Sequence, residues 1–162
     1  PAAGSAPRPL LLSFHDAGED AARHAALTRW AALADRAGFI VVQPDAHQDR
    51  WRAASRSDAD VRMVEQLIAA LAKRGVAIDP QRIYAAGLGS GARMALRLAC
   101  ALPARIAAVG LVATEPTAWG EPPCEGRRAA LIAFDASAEA AAQSRAPDYV
   151  RNWAMAQNCR LA

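Results

Sequence analysis

The chain has 162 residues, enough for one domain with a single core and too few for two. It is 53% hydrophobic, but 43 residues are alanine and mean hydropathy is +0.00. With no apolar run near the roughly 18–20 residues of a membrane span, a membrane-spanning protein is excluded, as is a disordered chain. The net charge of +3 comes from 18 arginines and one lysine scattered among acids, not the basic stripe that a nucleic-acid binder gathers.

In chain order, Pro1–Pro9 reads as a linker or trimmed terminus, being Pro, Ala, Gly and Ser with one arginine. No charged-then-apolar leader opens the chain. Residues 10–162 read as one domain. Five short apolar runs predict strands: Leu10–Phe14, Phe39–Gln43, Ile83–Leu88, Ala107–Ala113 and Ala129–Phe134. They do not alternate strictly between apolar and polar, as expected of strands covered on both faces. Helical spacing fills the gaps. Glu19–Ala37 stops at Gly38, Asp58–Arg74 at Gly75, Ser90–Leu102 before Pro103, and Pro147–Cys159 closes the chain. Strand–helix alternation of this kind predicts an α/β three-layer sandwich, with a parallel sheet and right-handed crossovers.

Ligands in such sheets sit beyond the carboxyl ends of the strands. That selects five loops: His15–Gly18, Pro44–Trp51, Gly87–Gly91, Thr114–Trp119 and Asp135–Glu139. Among them, Ile83–Met94 has the make-up of a nucleophile elbow, a strand followed by a tight glycine turn and a helix. Small residues two before and two after the nucleophile let the turn lift its side chain above the sheet. The helix behind it offers N–H groups to an oxyanion. A phosphate-binding reading is weaker, because Gly87-x-Gly89-x-Gly91 is not G-x-G-x-x-G and no lysine follows to make a P-loop.

Several segments together resemble the secreted polyhydroxybutyrate depolymerase and feruloyl esterase-like α/β-hydrolases. They are Pro9–Asp16, Trp30–Asp45, Asp60-Val61, Ile78–Leu88, Met94–Cys100 and Trp153–Cys159, with Asp79–Cys100 the most specific. The resemblance implies a sheet of five parallel strands in the order 2-1-3-4-5, a truncated α/β-hydrolase fold. It also implies a secreted or periplasmic location and a small or polymeric ester as ligand. No cofactor is expected. Asp16, Asp135 and Glu139 with His15 and His47 could form an oxygen-rich metal site, but they have no recognised ligand spacing and read as solvated loop acids, so no metal is expected. Oligomeric state is left open.

The departures fall on the chemistry. Aligned through Gly87 and Gly91, the family's nucleophile position holds Gly89, and Ser90 lies one residue late. The first loop reads His15-Asp16 where the family has His-Gly. The loop that supplies the family's triad acid reads Asp135-Ala136-Ser137-Ala138-Glu139, and the catalytic histidine is expected beyond Cys159. A serine hydrolase needs nucleophile, base and orienting acid in contact. If hydrolysis survives, Ser90, His15 and Glu139 are the candidates to carry it. Asp16, Ser90 and Gly91 are expected at the oxyanion position, and His47, Trp51, Trp119 and Asp135 along the cleft.

The blander readings stand beside these. His15 reads as a structural histidine bonded to loop backbone, His47 as exposed, and His24 as a surface residue on its helix. Trp51 and Trp119 can stack on a ligand or plug their loops, while Trp30 and Trp153 suit packing. The sequence therefore predicts a degenerate, non-hydrolytic esterase-like module for binding or scaffolding. One alternative is a secreted serine carboxyl-ester hydrolase, of the polyhydroxyalkanoate depolymerase or feruloyl/acetyl esterase type, with a rebuilt or truncated triad. A second is a flavodoxin-like domain that binds a small molecule.

The three cysteines show no CxxC spacing. Chain direction puts Cys100, Cys124 and Cys159 at the lower edge of the sheet, and the resemblance to a secreted family allows a bridge. Cys100–Cys124 is the expected pair. Three free thiols are the alternative.

Overall fold

The computed structural model describes residues 6–52, 59–113, 129–134 and 148–156. Five parallel strands, β1 (Arg8–Phe14), β2 (Ile40–Val42), β3 (Ile78–Leu88), β4 (Ile106–Val112) and β5 (Ala130–Phe134), form one sheet in the order β2-β1-β3-β4-β5. Around it lie α1 (Ala21–Thr28), α2 (Trp30–Ala37), α3 (Ala59–Lys73), α4 (Ser90–Ala101) and α5 (Asp148–Ala156). The expected fold and strand order are both observed. β1 begins at Arg8, within the stretch read as linker, and the long bound of β3 includes an irregularity. Arg8 pairs with Ile78 but Leu10 pairs with Ile83, so Asp79–Arg82 bulges out of the ladder.

Register fixes the two faces. Leu10, Leu12 and Phe14 align with Ile83, Ala85 and Gly87, and these with Val109 and Leu111. That face packs on α4, with α3 beside α4, and Val61, Val64, Ile68, Met94, Leu96 and Leu98 of the two helices join the buried core. The opposite face takes α1 through Ser13 of β1. Its far end is open: Val112, Ile132 and Phe134 are exposed.

The single helix expected over Glu19–Ala37 is two. Arg29 adopts a left-handed φ of 52° and its N–H returns to the carbonyl of Ala25, closing α1. No glycine or proline marks that break, so helical periodicity alone ran through it. One consequence is that His24, read as a surface residue, is buried. Its Nε2 lies 2.9 Å from Ser13 Oγ, because α1 turns this residue onto the sheet.

Candidate active site

The junction of β3 and α4 is built for close approach. A Cβ on Gly87 would fall 2.2 Å from the carbonyl group of Gly91, and one on Gly91 would fall 2.2 Å from the carbonyl oxygen of Phe14. Real Cβ atoms do not come this near, so both glycines let the first turn of α4 press on the ends of β3 and β1. Gly91, expected in the cleft, is thus a packing residue. Between them Gly89 takes φ 53° and ψ −114°, the strained apex of the elbow.

What stands over that apex is Asp16. A Cβ on Gly89 would lie 2.3 Å from Cγ, Oδ1 and Oδ2 of Asp16 alike. The carboxylate therefore fills the volume that a nucleophile's side chain would occupy. Its Oδ1 accepts the Ser90 N–H at 2.7 Å and the Ala17 N–H at 2.7 Å. These donors, one behind the elbow and one from the first strand's loop, match the pair that forms an oxyanion hole in this fold. Carboxylate and helix N-terminus attract, and a charge-assisted bond of this kind is among the stronger ones.

His15 is buried and fully committed. Its Nδ1 donates to the Asp16 carbonyl at 2.6 Å, and its Nε2 accepts the Ala46 N–H at 3.1 Å. A carbonyl accepts only and an N–H donates only, so the partners fix the neutral Nδ1–H tautomer. No nitrogen is left to serve Ser90, whose Oγ is buried without a partner. His15 is the structural histidine, not a substitute base. Trp51, expected along the cleft, is instead 1% exposed. Its Nε1 donates to the His15 carbonyl at 2.9 Å, and its ring packs edge-on against Phe14 at 5.0 Å. An aromatic with one apolar body and one donor finds both needs inside, and so plugs the loop.

The remaining expected residues divide between two cavities. Asp16, Gly89 and Ser90 line one of about 290 Å³ together with Arg50, Arg93 and Ala113. His47, exposed as expected, lines another of about 500 Å³ beside Asp45, Arg52, Asp60 and Met63. Asp60 is buried there, accepting the Arg52 N–H at 2.6 Å. Trp119, Asp135, Glu139 and Cys124 lie outside the described residues. Cys100 is disulfide-bonded, which excludes three free thiols; its partner also lies outside the described residues. Sequence reasoning missed Arg50 and Arg93. The spacing of Arg93 three residues after Ser90, one helical turn on, was the available signal.

A parallel sheet in this order, with a strained elbow between its third strand and the following helix, defines an α/β-hydrolase fold. Solved structures agree at the level of fold. An acetyl xylan esterase from Aspergillus awamori superposes with a TM-score of 0.60 at 17% identity, covering 68% of this chain and 43% of that one. A fluorophosphonate-binding serine hydrolase of Staphylococcus aureus, FphF, gives 0.62 at 12% identity, covering 98% and 63%. The family profile described as Esterase PHB depolymerase matches residues 1–139, and the chain belongs to that family. A designated candidate esterase, NocK, of Nocardia uniformis subsp. tsuyamanensis is 34% identical over 131 residues. The bifunctional acetylxylan esterase/xylanase XynS20E of Neocallimastix patriciarum is 34% identical over 83 residues, 51% of this chain. The match to NocK takes in 74% of this chain and 36% of NocK, and that to XynS20E 12% of its length, so the chain spans only part of these relatives. Family membership removes the flavodoxin-like alternative.

Proposed function

We propose that the chain carries the ester-binding cleft of a carboxylic-ester hydrolase acting outside the cytoplasm. The observation that carries this reading is the elbow, retained at Gly87–Gly91 with its strained apex and its N–H donors on α4. The esterase names of NocK and XynS20E support it over the non-hydrolytic module expected from sequence. The disulfide at Cys100 supports an oxidising compartment. Among the described residues, Ser90 is the hydroxyl that lines the cavity, and it is the nucleophile in this reading. His15 is not its base, since backbone holds both ring nitrogens. The Asp135–Glu139 loop offers the acid.

One observation favours a second reading, in which the cleft binds without hydrolysing. Asp16 holds the Ser90 N–H that an ester oxyanion would need. Hydrolysis of p-nitrophenyl butyrate by the wild-type chain and by Ser90→Ala decides between them. Turnover lost in the variant supports the hydrolase. Turnover at the buffer rate in both leaves the binding module.

A further inference from the structure

We propose that the cavity beside Gly89 is a binding site for a small organic acid, whose carboxylate is taken by Arg93, Arg50 and the Ser90 hydroxyl. The proposal rests on the reading that this cleft handles esters, and it names the acid, not the neutral ester, as the ligand held in it.

The cavity holds unspent donors. Arg93 Nε and Ser90 Oγ are both buried, and neither makes a hydrogen bond. Native proteins keep few such groups, because a buried donor without an acceptor has lost its water for nothing. Here two of them line one cavity of about 290 Å³. A guanidinium can only donate and a hydroxyl can donate, so the missing partner is an acceptor. Arg50 lines the same cavity, and neither arginine makes an ion pair among the described residues, where the pairs are Arg23–Glu19, Arg82–Asp79 and Arg105–Glu65.

Asp16 is the counter-charge to consider, since its carboxylate also lines the cavity. It makes no ion pair with either arginine, and its Oδ1 is held by the Ser90 and Ala17 N–H groups. Among the described residues, two guanidinium groups against one committed carboxylate leave the cavity one positive charge in excess. The planar fork of arginine fits a carboxylate with two parallel bonds. Because Asp16 has taken the backbone donors, a ligand's carboxylate is left with the side-chain donors. The volume lies at the lower end of the range for small-ligand sites, suited to an acid of about ten heavy atoms. A neutral ester of the same shape can accept from these donors through its carbonyl oxygen, but without the charge that makes a carboxylate bond to guanidinium the stronger one.

Benzoate is the probe, with methyl benzoate as its neutral match, each titrated into the whole chain and followed by amide chemical shifts. Benzoate is expected to bind at least tenfold more tightly than methyl benzoate. Arg93→Met should weaken benzoate at least tenfold and methyl benzoate much less, while Arg36→Met on exposed α2 changes neither. Arg50→Met, at an exposed side chain where folding is not at stake, should weaken benzoate in the same sense. Equal binding of acid and ester, no effect of either cavity arginine, or no saturation by benzoate at 10 mM (on the order of a weak fragment) would overturn the proposal. Tighter binding of inorganic phosphate than of benzoate would overturn the carboxylate assignment. Turnover of p-nitrophenyl butyrate is read in parallel. Benzoate binding without turnover sinks the hydrolase reading alone, and turnover without benzoate binding sinks this proposal alone.

Discussion

Asp16 Oδ1 accepts the Ser90 N–H at 2.7 Å across 74 residues of sequence, and in doing so sits over the α-carbon of Gly89. The two departures from the family pattern are thus one structural feature. The carboxylate needs the space that glycine leaves, and the glycine needs no nucleophile above it.

The first prediction follows from that reciprocity. Gly89→Ala alone should cost about 2–4 kcal/mol, combining a strained φ of 53° with a clash against Asp16. Asp16→Gly/Gly89→Ala should lose less stability than the two single losses added together. Urea unfolding of the four proteins measures the coupling, expected at about 1 kcal/mol or more. Strict additivity would mean that Asp16 does not occupy the elbow.

The second concerns chemistry at the same place. Asp16→Gly/Gly89→Ser puts a hydroxyl at the apex and frees the Ser90 and Ala17 N–H groups. A burst of p-nitrophenol on mixing with p-nitrophenyl butyrate, one equivalent per chain, is expected from acylation of the new serine. Mass spectrometry of the intact chain would show the added butyryl group. An unmodified chain after complete mixing would mean that residue 89 lacks either an oxyanion hole or a base within reach.

The sheet and the elbow were legible because their signals are local. Five apolar runs separated by helical spacing specify the layers, and Gly87, Gly89 and Gly91 lie within one turn. What was not legible depends on contacts between distant residues. The break at Arg29 carries no glycine or proline, so neither it nor the burial of His24 against Ser13 could be read from period. Trp51 as a plug depends on the carbonyl of His15, 36 residues away. Asp16 over Gly89 depends on two loops meeting at the top of the sheet.

A third prediction uses His24. Burial, the largest cause, lowers its pKa from the ordinary value near 6.5, and Glu19 opposes the shift. The unfolded chain therefore binds the proton at higher pH than the folded one. Stability from this group is complete above about pH 7 and is lost as pH falls below about 6.5, toward the lowered value. The melting temperature should decline over that window. His24→Gln, which cannot titrate, should flatten the slope; an unchanged slope would assign the effect to other groups.

Fourth, peptide mapping without reduction should recover Cys100 in a disulfide-linked pair, with Cys124 the expected partner and Cys159 the alternative. Reduction should lower stability by about 3 kcal/mol, as for loops of a few tens of residues. Full labelling of all three thiols in the unreduced, unfolded chain would contradict the bridge at Cys100.

The last prediction tests whether Trp51 holds the His15 loop in place. The tryptophan contributes an edge-on contact with Phe14 and one hydrogen bond to the buried His15 carbonyl. Trp51→Phe keeps most of the apolar body and removes the donor, leaving that carbonyl without this partner. Losing one partner of a buried pair costs about 1–3 kcal/mol. Because His15 in turn anchors Asp16 and Ala46, the effect should extend beyond the point of substitution. Amide hydrogen exchange is expected to speed up at Ala46 and at Ser90, whose protons are held by His15 and Asp16. Exchange should stay unchanged in the β3–β4 ladder, which does not depend on this loop. A stability loss with no change at Ser90 would show that Asp16 keeps its position over the elbow without help from the tryptophan.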